Sequence, residues 1–328
     1  GNGVNIVFMG DCFDAKDIAE GYYKEIMDEA ICYFFAVEPY TTYKDYFNVY
    51  TVIGHSPDSG LPTTYSINQE SKFGSQYAYG NDGFQFKFND TECFEYACKV
   101  PSITTDNLSQ TLIVLIENSN VYGGVTRMWG DNSAIAVCSI MRGNYPNDFR
   151  GVVQHEAGGH GFGKLADEYI YNGNFIDMCG CGEGHVKEFL QGQNNGWYQN
   201  LSLKSNIYEV PWSHMIFDPQ FSNSVDMYEG GYFHARGVFR SEPNSCMNNN
   251  VPYFSAISRE QIVKRIMEYA GEEYTFEKFK KKDNSAMGPI TTTASTTSVS
   301  RSTVVINNEN NTSHRTPVIM GERPMLNF

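Results

Sequence analysis

Short continuous apolar runs separated by polar stretches open the chain, and this pattern predicts an α/β start followed by a loop-rich half. Asn5-Ile-Val-Phe-Met-Gly10 reads as a buried strand closed by Gly10-Asp11. From Asp14 to about Phe35, the residues Ile18, Tyr22, Ile26, Ala30 and Tyr33 recur at helical spacing. Phe47 to Ile53 predicts a second strand, and Gln110 to Ile116 a third, apolar throughout as expected when both faces are covered. Ser133 to Ile140 is a fourth, close enough to its predecessor to turn back antiparallel and stand at the sheet edge. Such an edge can hold an extended peptide by main-chain hydrogen bonds.

Residues 56–106 are polar, rich in Tyr and Asn, and carry little periodicity, so they read as an insertion over one face, with Cys93 and Cys98 placed for a local bridge. Past Tyr169 the texture turns to loops around Asn172-Gly-Asn, Cys179-Gly-Cys and Gly192 to Gly196. Ser258 to Tyr269 predicts a helix, with Ser258 as N-cap and Gln261 at N3 in a capping box. From Asn284 to about Thr303 a Ser/Thr-rich tract reads as a linker. Two strand-like pieces follow it, Thr303 to Ile306 and Thr316 to Met320, and each needs a surface to pack on. The expected division is a catalytic unit over residues 1–283, split into subdomains 1–165 and 166–283, and a tail over 284–328.

Composition narrows the partners. A net charge of −14, with Lys278-Phe-Lys-Lys-Lys282 as the basic run, argues against nucleic acid and anionic membrane. No apolar run reaches the length of a membrane span, and Gly1-Asn2-Gly3 leads directly into strand-like sequence. A secreted, periplasmic or cell-surface protein with its signal removed is expected. Eight cysteines in 328 residues are too thinly spread for a disulfide scaffold. Cys179-Gly180-Cys181 with His185 offers the residue types of a second zinc site, but the spacing matches no common ligand pattern and a structural loop is the favoured reading.

The chemistry concentrates in Val153 to Tyr169. His155-Glu156-Ala-Gly-Gly-His160 is one residue longer than H-E-x-x-H, in which two histidines on one helical face bind zinc. In a regular α-helix residues five apart are rotated by about 500°, so their imidazoles diverge by roughly 140°. A π-bulge over Ala157 to His160 absorbs the extra residue, and Gly158 and Gly159 permit it. His155 and His160 then face one zinc, with Glu156 as general base. Asp167 or Glu168, just beyond the helix, supplies the third ligand. Ordinary helix packing is the bland alternative. Four glycines at 158, 159, 161 and 163 speak against it, since each costs roughly 0.5–1 kcal/mol relative to Ala in a helix.

His155 through Tyr169 resembles the active-site stretch of the IgA-peptidase family of metzincin-like metallopeptidases, and Ser245-Cys-Met-Asn248 is similar to the metzincin Met-turn. Tyr228 to Arg240 resembles the run into that turn. The resemblance implies a twisted mixed sheet with an active-site helix, a loop-rich C-terminal subdomain, and a cleft between them. It also implies that Met247 lies beneath the zinc and that Asp167 aligns better than Glu168. The function expected is a zinc endopeptidase acting on extended protein substrates, immunoglobulin-like ones among them. The competing expectations are an inactive binding module on the same fold and a zinc hydrolase of small amides.

Overall fold

The computed structural model describes residues 3–61, 69–80, 83–121, 123–177, 184–289 and 317–326. Its strands are β1 (Val4–Asp11), β2 (Phe47–Val52), β3 (Gln76–Gly80), β4 (Gly83–Lys87), β5 (Thr111–Glu117), β6 (Gly124–Met128), β7 (Ala134–Ser139), β8 (Ile170–Phe175), β9 (Leu201–Ser202), β10 (Tyr228–Gly231), β11 (Phe233–Arg240) and β12 (Val318–Ile319). A mixed six-stranded sheet runs in the order β12-β6-β7-β5-β1-β2. β8, β9, β10 and β11 form a smaller second sheet, and β3 with β4 a hairpin.

Within the main sheet, β2, β1, β5 and β7 are parallel, and β6 runs antiparallel to β7. This corrects the expected topology. The run around Ala134–Ser139 is interior and parallel to β5, which is why all six of its residues are buried. The antiparallel strand is β6, whose Gly, Thr and Arg hide it from any search for apolar runs. Its outer edge carries β12, with Val318 opposite Arg127 and Ile319 opposite Met128. The second tail piece therefore packs on this chain's own sheet, while Thr303 to Ile306 lies outside the described residues.

Alternation along the strands builds two cores. Ile6, Phe8, Leu112, Val114, Ala136 and Cys138 face the helical segment Val153–Phe162 and the helices Tyr22–Phe35 and Ala256–Ala270. Val7, Met9, Ile113, Leu115, Ile135 and Val137 face the opposite layer, built from the hairpin and the helix Asp90–Ala97. On the first face β7 presents only small side chains, Ala134, Ala136 and Cys138, which lets the segment Val153–Phe162 lie close to the sheet.

Three local expectations change. Cys93 and Cys98 are separate free thiols, because five residues along a helix turn them roughly 140° apart. The helix expected over Asp14 to Phe35 is broken into Ala15–Ala19 and Tyr22–Phe35, the first held by an Asp14–Asp17 capping box. The C-terminal helix begins at Ala256 instead of after Ser258, because Ser255 Oγ accepts the Ser258 amide and acts as the N-cap. Ser258 is thereby drawn into the first turn. No helix among the described residues is long and apolar enough to cross a membrane.

Candidate metal centre

Val153–Phe162 is a π-helix of 10 residues, so the expected single bulge extends over the whole motif. The Gly163 amide bonds the Gly158 carbonyl at 3.0 Å, an i→i+5 step. That geometry carries His155 and His160 round to the same side, with ring centroids 4.7 Å apart. The helix is held from outside as well. Tyr40, in a cage of Phe34, Phe47, Phe162 and Phe254, donates its hydroxyl to the Gly158 carbonyl at 2.6 Å.

Each imidazole has its tautomer set by a carbonyl. His155 Nδ1 donates to Cys246 O at 3.0 Å, and His160 Nδ1 donates to Leu165 O at 2.7 Å. Both Nε2 atoms are thereby left with lone pairs pointing inward, a second-shell arrangement typical of metal-ligating histidine. They converge on one oxygen, Asp167 Oδ1, at 2.9 Å for His155 and 3.2 Å for His160. Two lone pairs facing a carboxylate oxygen repel unless a cation lies among them, as a proton or a metal ion. His155, His160 and Asp167 are fully buried, and Asp167 Oδ2 has no hydrogen-bond partner. Two neutral imidazoles and a carboxylate are a donor set that zinc accepts.

The electrostatics agree with that cation. Burial pulls His160 towards the neutral form, yet Asp167 outweighs it and raises the imidazole above its ordinary value. Burial likewise pushes the Asp167 carboxyl up, and the two imidazoles more than offset it, holding the group ionised well below the usual carboxylate range.

Glu156 is also fully buried. The Thr126 hydroxyl lies 2.9 Å from its Oε2 and 3.0 Å from its backbone carbonyl. Gly124 makes room for it: a Cβ there would stand 2.5 Å from Glu156 Cγ. Sequence reasoning missed both β6 residues. The glycine pair at 123 and 124 was the one available signal.

Adjacent carboxylates take different tasks. Glu168 points away from the imidazoles, accepting from Asn200 Nδ2 at 2.9 Å and from Ser245 Oγ at 2.5 Å. Burial raises its pKa to about 7. The Glu168 amide bonds Met247 O at 2.8 Å, so this residue ties the loop carrying Asp167 to the turn holding Met247. Met247 itself is buried against the π-helix at Gly159.

The other described histidines stay outside the centre: His185 Nδ1 lies 2.8 Å from His234 Nε2, and His214 pairs with Glu260. Cys179 and Cys181 lie outside the described residues. A second buried cluster, Asp11, Cys12 and Glu117, forms at the ends of β1 and β5. Asp11 there accepts five hydrogen bonds, from Cys12 N, Ser56 Oγ, Lys72 N, Phe73 N and Ser75 N, which occupies its lone pairs with the chain's own donors.

Two histidines, a carboxylate and a buried glutamate beside a mixed sheet make this the candidate metal centre of a peptidase. A family model described as IgA Peptidase M64 matches residues 2–216, and the chain belongs to that family. The match contains His155 to Tyr169 and ends before the turn at Met247. No curated protein matches the chain.

Proposed function

We propose that the chain is a zinc-dependent endopeptidase of metzincin-like build, with His155, His160 and Asp167 as ligands and Glu156 as general base. The observation carrying this reading is the convergence of both Nε2 atoms on Asp167 Oδ1, each imidazole fixed by a backbone carbonyl on its far nitrogen. Zinc, when bound, lowers the pKa of a coordinated water to about 7 and polarises the scissile carbonyl. Glu156 takes the proton from the attacking water and returns it to the leaving amide nitrogen. Thr126 orients its carboxylate, and burial keeps bulk water from competing for the proton.

An extended protein substrate suits β6. Among the described residues only Arg127 and Met128 of its outer edge are paired, with β12, which leaves Gly124 to Thr126 beside Glu156 for main-chain pairing. Immunoglobulin-like proteins are one substrate class to assay. The same reading takes residues 1–283 as the catalytic unit and places the protein outside the cytoplasm. Digestion of casein by the wild type, with and without chelator, and by Glu156→Gln tests the proposal. Cleavage lost in both the chelated and the Glu156→Gln samples is expected. Zinc bound at one equivalent with no cleavage of any protein substrate would favour the binding-module reading.

A further inference from the structure

β12 lies on the edge of β6 that runs beside the metal centre. The pairing is parallel, Val318 opposite Arg127 and Ile319 opposite Met128, and the Met320 amide donates to Met128 O at 2.7 Å. Parallel order brings the segment in at the Thr126 end of β6 and takes it away past Met128. One residue earlier in the same register, Pro317 comes opposite Thr126, whose hydroxyl holds Glu156. Side chains alternate along a strand, and Ile319 and Met128 pack into one core, so Pro317 and Thr126 share the face on which the π-helix lies.

Main-chain groups alternate as well. Met128 turns its carbonyl to the segment, so Thr126 and Gly124 turn theirs to the same side. An extended substrate on β6 and β12 therefore compete for one row of donors and acceptors. The segment is fastened from outside: Arg323 pairs with Asp131 at 2.9 Å, donates to Thr105 O at 2.9 Å and lies over the Phe94 ring, while Met320 and Leu326 rest on the second core. Its own hold on β6 is slight. The strand is two residues long, and Pro317 is the one buried residue among 317–326. So short a pairing has little stability of its own.

We propose that β12 is a specificity-determining segment: it closes the substrate edge at Thr126, so that short peptides bind ahead of it and longer extended chains must displace it. This rests on the reading of β6 as the edge that takes substrate. Gly124 to Thr126 spans roughly 7 Å, room for about two or three paired residues. A longer peptide gains main-chain bonds to Met128 only where β12 and the Met320 amide give theirs up. The exchange leaves the metal ligands untouched, so its effect falls on KM and not on kcat.

The test compares the full-length chain with its Met320→Pro/Arg323→Ala variant, which deletes the amide that Met128 accepts and the guanidinium that Asp131 and Thr105 hold. With zinc bound, KM for casein should fall roughly 5-fold, the gain of about one main-chain hydrogen bond, at unchanged kcat. KM for a fluorogenic peptide of about four residues, roughly 13 Å when extended, should stay as it is. A synthetic peptide of residues 317–326, added in excess, should return the variant to the wild-type KM. Arg323→Ala alone should move KM the same way by less, and it serves as the test if the double variant does not fold. Equal KM for casein in wild type and variant overturns the proposal, as does an equal shift for the short peptide. No cleavage by either chain with zinc bound overturns the peptidase reading itself, and the proposal with it.

Discussion

A Cβ placed on Gly159 would stand 2.2 Å from Met247 Sδ and 2.8 Å from its Cε. The methionine therefore fills the space that the π-helix leaves by having no side chain there, and it does so on the helix that carries both imidazoles. Gly159→Ala should overpack this contact and cost about 1–3 kcal/mol. Because the strain bears on the segment between His155 and His160, retention of metal should fall with it. Thermal melts and metal content after dialysis check this, and a wild-type Tm for Gly159→Ala would show that Met247 can move aside.

The legible features were local ones. His155, Glu156 and His160 could be placed on one helix because the extra residue and the glycines within it constrain the same few backbone angles. β6 was illegible because Gly124, Thr126 and Arg127 owe their strand conformation to pairing with Cys138, Ala136 and Ile135 on the next strand, beyond the reach of a local pattern. Glu156's partners were hidden for the same reason. Nor could sequence separate Asp167 from Glu168: neighbouring side chains diverge, and which one faces the imidazoles depends on contacts from Asn200 and Ser245 far along the chain.

Asp167 and Glu168 should part company under mutation. On the proposed reading, Asp167→Ala, which removes the oxygen on which both imidazoles converge, should weaken zinc binding by more than the roughly 10–100-fold that an outer-shell change costs. Glu168→Gln keeps an acceptor for Asn200 and should stay within that outer-shell range, its main effect falling on stability. Competition against a chromophoric chelator measures both. Equal losses in the two variants would contradict the assignment of Asp167 as the ligand.

Thr126→Val deletes the hydroxyl 2.9 Å from Glu156 Oε2 while keeping a β-branched strand residue. A charge-assisted hydrogen bond of this kind contributes about 1.5–3 kcal/mol. On the proposed mechanism kcat should drop roughly 10-fold or more for a loss of that size, with KM little changed, because the hydroxyl positions the base without touching substrate. Thr126→Ser should recover most of the rate. A change confined to KM would place Thr126 in substrate binding instead.

Glu260 supplies the pH test. It is almost fully buried, accepting from Tyr274 Oη at 2.6 Å, with His214 Nε2 at 3.1 Å and Lys264 Nζ at 3.0 Å. Burial pushes its carboxyl up, but these partners prevail and its pKa lies below the ordinary value. The folded state therefore gives up the proton more readily than the unfolded chain. The stability Glu260 contributes is present above the unfolded pKa, near 4.3, and is lost as pH falls through the lower folded value. Glu260→Gln should cost about 1–3 kcal/mol at pH 7, and its deficit relative to wild type should shrink as the pH is lowered below about 4. Urea melts taken stepwise from pH 7 to acid measure the gap, and a gap that is constant or widens towards acid would contradict the depressed pKa.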